Sequence, residues 1–171
     1  MAHEKPPHHI LAADTNVPLD MALGREIVRD AIAAIQRRIP SRFILVPPTV
    51  AGELAVMAEE DALPVKRAAA AKFFNEHRVW GFRLFSYVPL GDDFVHQVAG
   101  TLRQRGLIDE EEVNDSLVLV EAAALDCSML LTSDEHLRSV NYERLVFELR
   151  RFDLNAPVIA TPREIVKKFL R

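Results

Sequence analysis

The chain has 171 residues, 49% of them hydrophobic, and a formal net charge of −4. This length is typical of one domain with a substantial core, and the composition is that of an ordinary globular protein. The charge excludes a strongly basic surface field, but it does not exclude an enzyme that acts on nucleic acid, because metal-binding carboxylates lower the charge balance.

Two sequence features indicate the compartment and the domain limits. The single cysteine, Cys127, cannot form an internal disulfide and lies in an apolar neighbourhood. We therefore predict a buried thiol in the reducing cytoplasm. Residues 1–7 are predicted to be a flexible tail before one domain at 8–171, and no stretch is apolar enough to span a membrane.

The first part of the chain predicts two buried strands separated by a long helix. Residues 8–13 are a short apolar run, which predicts a strand that ends at Asp14. Apolar residues at helical spacing predict a helix over 19–39, in which Gly24 marks a kink or a break. Residues 43–46 predict a second strand, which two prolines end.

The next segment predicts two helices and a third strand. Thr49 is the predicted N-cap of a helix that has Glu53 on or beside its apolar stripe. Because burial of an unpaired carboxylate is costly, we expect Glu53 to have a partner. A second helix is predicted from Pro64 to about residue 79, and a short third strand is predicted within 84–90.

An acid lies at each end of the most apolar part of the chain. After a helix predicted over 92–106, Asp115 opens a helix whose residues 116–125 are almost all apolar, which indicates burial on all sides. Residues 129–132 then predict a buried strand, and Asp134 follows its carboxyl end. Because a helix that packs antiparallel to the next strand starts near that strand's end, we expect the two carboxylates to meet.

The remaining elements continue the alternation of helices and strands. Short helices are predicted over 136–140 and 142–149, a last strand over 157–160, and Thr161 with Pro162 caps a final helix. This alternation predicts a three-layer α/β/α fold with a mainly parallel central sheet and right-handed crossovers.

Four acids are therefore expected at one edge of the sheet: Asp14, Glu53, Asp115 and Asp134. Carboxylates can crowd together only if something neutralises them, and hard divalent cations such as Mg²⁺ or Mn²⁺ prefer these oxygen ligands. Such a cation activates water and binds phosphoryl oxygens, which suits hydrolysis of a phosphodiester bond.

Several short motifs carry a family resemblance. In chain order they are Asp14-Thr15-Asn16, residues 49–54 around Glu53, Asn114-Asp115-Ser116-Leu117, Leu131-Thr132-Ser133-Asp134, and Ala160-Thr161-Pro162-Arg163-Glu164. Together they resemble the PIN domain, the nuclease domain of VapC-like toxins and of many RNA-processing proteins. The resemblance extends over about residues 10–170. Compared with a minimal toxin, the extra length lies in the long first helix and in 62–90.

The resemblance implies a metal-dependent endoribonuclease, with Mg²⁺ or Mn²⁺ as cofactor and the four acids as catalytic residues and metal ligands. It implies that Asn16, Thr132 and Ser133 are supporting polar residues. For the toxins it further implies a homodimer and a small antitoxin protein as partner.

Contact with RNA must come from local arginines, because the net charge does not provide it. The candidates are Arg103 and Arg105, at the end of one helix, and Arg138, which lies four residues after Asp134.

Other functions share parts of this pattern. A PIN-like fold can act as an RNA-binding or regulatory module without catalysis, although the complete set of four acids argues against this. A phosphate-accepting receiver requires a lysine at the end of a late strand, and no such lysine is found. A haloacid-dehalogenase-type phosphatase requires Asp-x-Asp after the first strand, where this chain has Asp14-Thr15-Asn16.

Overall fold

A computed structural model describes residues 9–40, 43–85 and 92–170, and the tail predicted at 1–7 lies outside them. Within the described residues, five parallel strands form one sheet in the order β3-β2-β1-β4-β5, and helices flank it. The strands are β1 (Leu11–Ala13), β2 (Ile44–Val46), β3 (Phe82–Leu84), β4 (Met129–Leu131) and β5 (Val158–Ala160). The helices in the same ranges are α1 (Asn16–Ala22), α2 (Glu26–Arg38), α3 (Pro48–Glu60), α4 (Pro64–Glu76), α5 (Asp92–Gln104), α6 (Val113–Ala124), α7 (Glu135–Arg138), α8 (Tyr142–Arg150) and α9 (Pro162–Phe169). The predicted α/β fold with a parallel sheet is confirmed.

The pairing of β1 with β4 determines where the first and last acids meet. Ala13 is in register with Leu131, and the backbone N–H of Asp14 donates to the carbonyl of Leu131 at 2.9 Å. Asp14 and Thr132 therefore leave the sheet side by side. On its other side β1 pairs with β2, so α3 begins at the same edge of the sheet.

The core is built from short apolar strands and one buried helix. Every residue of β1 and β2 is buried, as a parallel sheet covered on both faces requires. All residues of α6 from Ser116 to Ala123 are buried, which confirms the predicted burial of this helix. The thiol of Cys127 is buried too, and this burial raises the pKa of Cys127 to about 12, so the thiol stays protonated.

The long helix predicted over 19–39 is in fact two helices, α1 and α2. Gly24 lies between them with a φ of +74°, a left-handed conformation that glycine adopts without steric cost. A Cβ here would meet nothing within 4 Å, so the backbone conformation, rather than a lack of space, favours glycine. The predicted break at Gly24 is confirmed.

The third strand begins two residues earlier than the range that the sequence predicts. β3 begins at Phe82 and only Leu84 belongs to the predicted range, whereas residues 86–90 lie outside the described part of the chain. The aromatic ring of Phe82 packs in the core against Phe73, with ring centroids 5.3 Å apart. Gly81, with a φ of +83°, ends the turn that leads from α4 into β3.

The prediction of helix caps is right for α9 and wrong for α3. Thr161 and Glu164 form a reciprocal capping box at the start of α9, which confirms the predicted cap. The N-cap of α3 is Pro47, and Thr49 lies inside the first turn. Its hydroxyl donates instead to Glu121 of α6, because the two helices pack side by side. Among the described helices, none has the length and apolarity needed to cross a membrane.

Candidate functional site

A cleft of about 860 Å³ lies at the carboxyl edge of the sheet, bordered by α1, α3 and α6. All four predicted acids line it: Asp14, Glu53, Asp115 and Asp134. Glu60 and Asp61 line the same cleft near the end of α3, and no lysine or arginine occurs among its described lining residues. The cleft therefore has a strongly negative potential when its carboxylates are ionised.

Asp14 is buried at the end of β1 and is held by three donors. Its Oδ2 accepts hydrogen bonds from Asn16 Nδ2 and Thr132 Oγ1, both at 2.7 Å. Its Oδ1 accepts from the backbone N–H of Thr15 at 2.7 Å. Burial raises the pKa of Asp14 above its ordinary value, whereas the bonds from Thr132 and Thr15 oppose this increase.

The predicted polar residues connect the ends of β1 and β4. Thr132 Oγ1 accepts from the backbone N–H of Asp134 at 2.9 Å, and Asn16 Oδ1 accepts from that of Ser133 at 2.9 Å. Asp134 in turn is the N-cap of α7, and its Oδ1 accepts from a backbone N–H of that helix at 2.7 Å. Asn16 and Thr132 thus act through their side chains, whereas Ser133 contributes its backbone.

Asp115 lies in the first turn of α6, two residues after the helix begins, and so it does not open the helix as predicted. Its Oδ2 is buried and has no hydrogen-bond partner among the residues that the structure describes. Burial, followed by the negative charges of Asp134 and Asp14, raises the pKa of Asp115 from 3.8 to about 7. Asp115 and Asp134 line the same cleft, in agreement with the predicted approach of the two carboxylates.

Glu53 is partnered, as its position predicts, and both residues that donate to it are ones to which the sequence assigns no role. Asn114 Nδ2 donates to Glu53 Oε1 at 2.6 Å, and the Thr15 hydroxyl donates to Glu53 Oε2. Thr15 and Asn114 each lie next to a predicted acid in the chain. Their position next to a predicted acid is the sequence feature from which a role in the cleft could have been predicted.

The donor set fits a hard cation chemically, but its side chains are not arranged as a closed ligand shell. Carboxylate oxygens are the ligands that Mg²⁺ and Mn²⁺ prefer, and the unpartnered Asp115 Oδ2 is available for such a contact. Within the described residues, however, no three acidic, histidine or cysteine side chains are grouped closely enough to hold a metal ion. Both oxygens of Glu53 accept hydrogen bonds from protein groups instead.

The three predicted RNA-binding arginines lie outside the described lining of the cleft. Arg103 donates to the hydroxyl of buried Ser116, and Arg105 Nη1 forms an ion pair with buried Glu148 at 2.9 Å. Arg138 pairs at 2.6 Å with Glu135, which is exposed. Two of these guanidinium groups thus contact buried polar groups, whereas that of Arg138 stays at the surface.

Comparison with known proteins gives information on the fold. Neither a protein-family model nor a curated protein sequence matches the chain. The chain is similar to a solved structure, that of VapBC2 from Rickettsia felis bound to a DNA fragment from their promoter. The TM-score is 0.58 at 14% sequence identity, and the match covers 89% of this chain and 98% of that one. At this identity the likeness shows that the two chains share a fold.

Proposed function

We propose that the protein is a PIN-domain endoribonuclease that uses Mg²⁺ or Mn²⁺ to hydrolyse phosphodiester bonds of RNA. Three findings support this proposal: the four predicted acids line one cleft, the sheet is parallel, and the fold is that of a VapBC2 chain. Each is compatible with other functions when it is taken alone. Their combination with the motifs of the resemblance favours the nuclease.

The observation that carries the proposal is the state of Asp115. A carboxylate oxygen that is buried without a hydrogen-bond donor is unfavourable, and removal of one such group normally stabilises a fold. Here the residue that bears the unpartnered oxygen, Asp115, lines a cleft together with Asp14 and Asp134. Burial, followed by the negative charges of these two carboxylates, raises the pKa of Asp115. A bound divalent cation would neutralise this cluster, which gives the unfavourable burial of Asp115 a functional explanation.

The residues of the cleft would divide the work as follows. Three aspartates would hold the cation: Asp14, Asp115 and Asp134. The bound cation would act as a Lewis acid that lowers the pKa of water and neutralises charge on the phosphoryl group. Glu53 would orient the attacking water and accept its proton as the water oxygen bonds to phosphorus and the bond to the leaving oxygen breaks. Thr15 and Asn114 hold the Glu53 carboxylate for this role.

The test is single-turnover cleavage of a structured RNA, with a DNA of matched sequence, in the presence of Mg²⁺, Mn²⁺ or EDTA. We expect cleavage of the RNA with metal and none with EDTA. Cleavage that persists in EDTA would contradict metal dependence, and cleavage of DNA alone would contradict the substrate.

A second candidate function is an RNA-binding or regulatory module without catalysis. It is favoured by the absence of a metal-binding group among the described residues and by the occupied Glu53 oxygens. RNA that binds to the wild-type protein but stays intact with every metal would favour this candidate over the nuclease.

We also propose that the nuclease is the toxin of a toxin-antitoxin pair, a homodimer that a small antitoxin inhibits. The support is the fold shared with VapBC2, a structure that includes promoter DNA. Induced expression in a bacterial host should arrest growth, whereas the Asp14→Asn variant at equal abundance should not. If the wild-type protein cleaves RNA in vitro but its expression leaves growth normal, the toxin role is contradicted and the nuclease function is not. Light scattering of the purified protein tests the dimer.

A further inference from the structure

Glu121 is a buried carboxylate that contacts a different helix. Its side chain lies on α6 and the residue is 7% exposed. Its Oε2 accepts from the backbone N–H of Thr49 at 3.1 Å, and its Oε1 accepts from the Thr49 hydroxyl at 2.7 Å. The two residues are 72 positions apart in the chain, so this contact joins α3 to α6.

The contact stabilises a helix start that its own N-cap cannot complete. The first N–H groups of a helix have no partner within the helix, and Pro47, the N-cap of α3, has no side-chain acceptor. The Glu121 carboxylate replaces that acceptor and also places negative charge at the positive end of the helix dipole. The start of α3 is thereby fixed against α6.

The second contact between the same helices involves the catalytic candidate Glu53, which Asn114 holds at 2.6 Å. On α6, Asn114 and Glu121 are seven positions apart, which places them on one face of the helix, two turns from each other. On α3, Thr49 and Glu53 are four positions apart, again on one face, and both line the cleft. Two pairs, Glu121 with Thr49 and Asn114 with Glu53, therefore connect matching faces of the two helices.

We propose that Glu121 is a positioning residue: by holding Thr49, it fixes the rotation of α3 and so keeps the Glu53 carboxylate at Asn114. Buried Val50 and Leu54 hold α3 in the core, and Thr15 also contacts Glu53. The two contacts with α6, a helical turn apart on α3, add to this by setting how the Thr49 and Glu53 face of α3 is oriented toward α6. The geometric part of this proposal concerns the protein without metal. Its effect on cleavage rests on the proposed nuclease function.

The structural test uses NMR of the metal-free protein, with the side-chain NH₂ signals of Asn114 as the readout. Glu53→Ala defines the signal of an unbonded Asn114. We expect Glu121→Leu to move the signals most of the way to that reference. We expect Glu121→Gln to leave them near the wild-type position, because Gln can accept from the Thr49 N–H and donate to its hydroxyl oxygen.

A matched control separates positioning from general loss of stability. Glu148 on α8 is also 7% exposed and is bonded to Arg105 and Arg151, away from the cleft. Glu148→Leu therefore removes an equally buried carboxylate, and we expect the Asn114 signals to stay at the wild-type position. Equal shifts in Glu121→Leu and Glu148→Leu would show a global effect and overturn the proposal.

A milder variant covers the case in which Glu121→Leu does not fold. Thr49→Val removes the hydroxyl bond to Glu121 and keeps the backbone one. We expect a smaller shift of the Asn114 signals in the same direction as Glu53→Ala. Wild-type signals in Thr49→Val, or in a folded Glu121→Leu, would overturn the proposal.

Cleavage rates give a second readout that a purely structural role would not produce. Glu121→Leu should lower the single-turnover rate at saturating RNA by about 10- to 100-fold, the effect of a misplaced catalytic group. In a Glu53→Ala background the same change should cause no further loss, because its target is gone. Independent, multiplicative losses would overturn the proposal. If the wild-type protein cleaves no RNA, the NMR result still decides the geometric claim.

Discussion

The hydroxyl of Thr132 donates a 2.7 Å hydrogen bond to Oδ2 of Asp14, a residue 118 positions earlier in the chain. Thr132 Oγ1 also accepts a hydrogen bond from the backbone N–H of Asp134 at 2.9 Å. One fully buried hydroxyl group therefore connects the acid that follows β1 with the acid that follows β4. This contact depends on the pairing of the two strands, which places Thr132 beside Asp14.

Thr132→Val should destabilise the metal-free protein by about 1–3 kcal/mol, because it leaves the N–H of Asp134 unpaired and removes a donor from Asp14. Urea unfolding at neutral pH in EDTA measures this change. Thr132→Ser retains the hydroxyl and should recover most of the loss. A valine variant as stable as the wild type would show that Asp14 does not depend on this hydrogen bond.

Asp115 should make the stability of the metal-free protein depend on pH. The pKa of Asp115 is about 7 in the folded protein and 3.8 ordinarily, so between these values the folded state binds more protons than the unfolded state. The free energy of unfolding therefore falls as pH rises through this window and levels off above it. Thermal unfolding across the window, in EDTA, measures the change.

Asp115→Asn is the matched variant, because it keeps the shape of the side chain and removes its charge. We expect its Tm to exceed that of the wild type by an amount that grows from about pH 4 to about pH 7. Adding Mn²⁺ should narrow the difference by stabilising the wild type selectively. A variant with a strongly lowered Tm would show instead that Asp115 is a structural residue of the first turn.

Substitution of each acid in the cleft should slow cleavage of RNA. Asp14→Asn, Glu53→Gln, Asp115→Asn and Asp134→Asn should each reduce the single-turnover rate by about 100-fold or more, equivalent to ~3 kcal/mol of transition-state stabilisation. Higher Mg²⁺ or Mn²⁺ should partly restore a variant that has lost only metal affinity.

Asp93→Asn and Glu111→Gln are the controls. They change exposed acids outside the described lining of the cleft, and we expect these variants to cleave RNA at the wild-type rate. Normal rates in the four cleft variants would contradict the proposed site.

The arginines should separate into structural and surface groups. Arg105→Gln should lower stability, because Glu148 is buried and would lose a partner. Arg138→Gln should leave stability unchanged, weaken RNA binding, and reduce the slope of log affinity against log salt by about one. Fluorescence titrations with RNA at several salt concentrations measure the slope. An unchanged slope would remove Arg138 from the predicted RNA contacts.

The sequence by itself was sufficient to predict the fold class and the location of the four acids at one edge of the sheet. Apolar runs that alternate between strand and helix period predict a parallel sheet, because such strands are covered on both faces. Asp14 and Asp134 follow two of those strands, and parallel strands end at one edge, so their common location could be inferred. The cap at Thr161 and the break at Gly24 were predictable for a similar reason, since both depend on residues close together in the chain.

Tertiary structure alone decided which polar groups meet across the cleft. Thr49 is a residue type that often caps helices, but because α3 packs on α6 its hydroxyl donates a hydrogen bond to Glu121 instead. Asn114 and Thr15 bond to Glu53 because α1, α3 and α6 converge at one edge. The strand order brings β1 and β4 together, and in the packed fold Asp115 Oδ2 has no donor within the described chain. Local patterns report which residues are buried, whereas hydrogen bonds between distant segments depend on distances that only the packed fold defines.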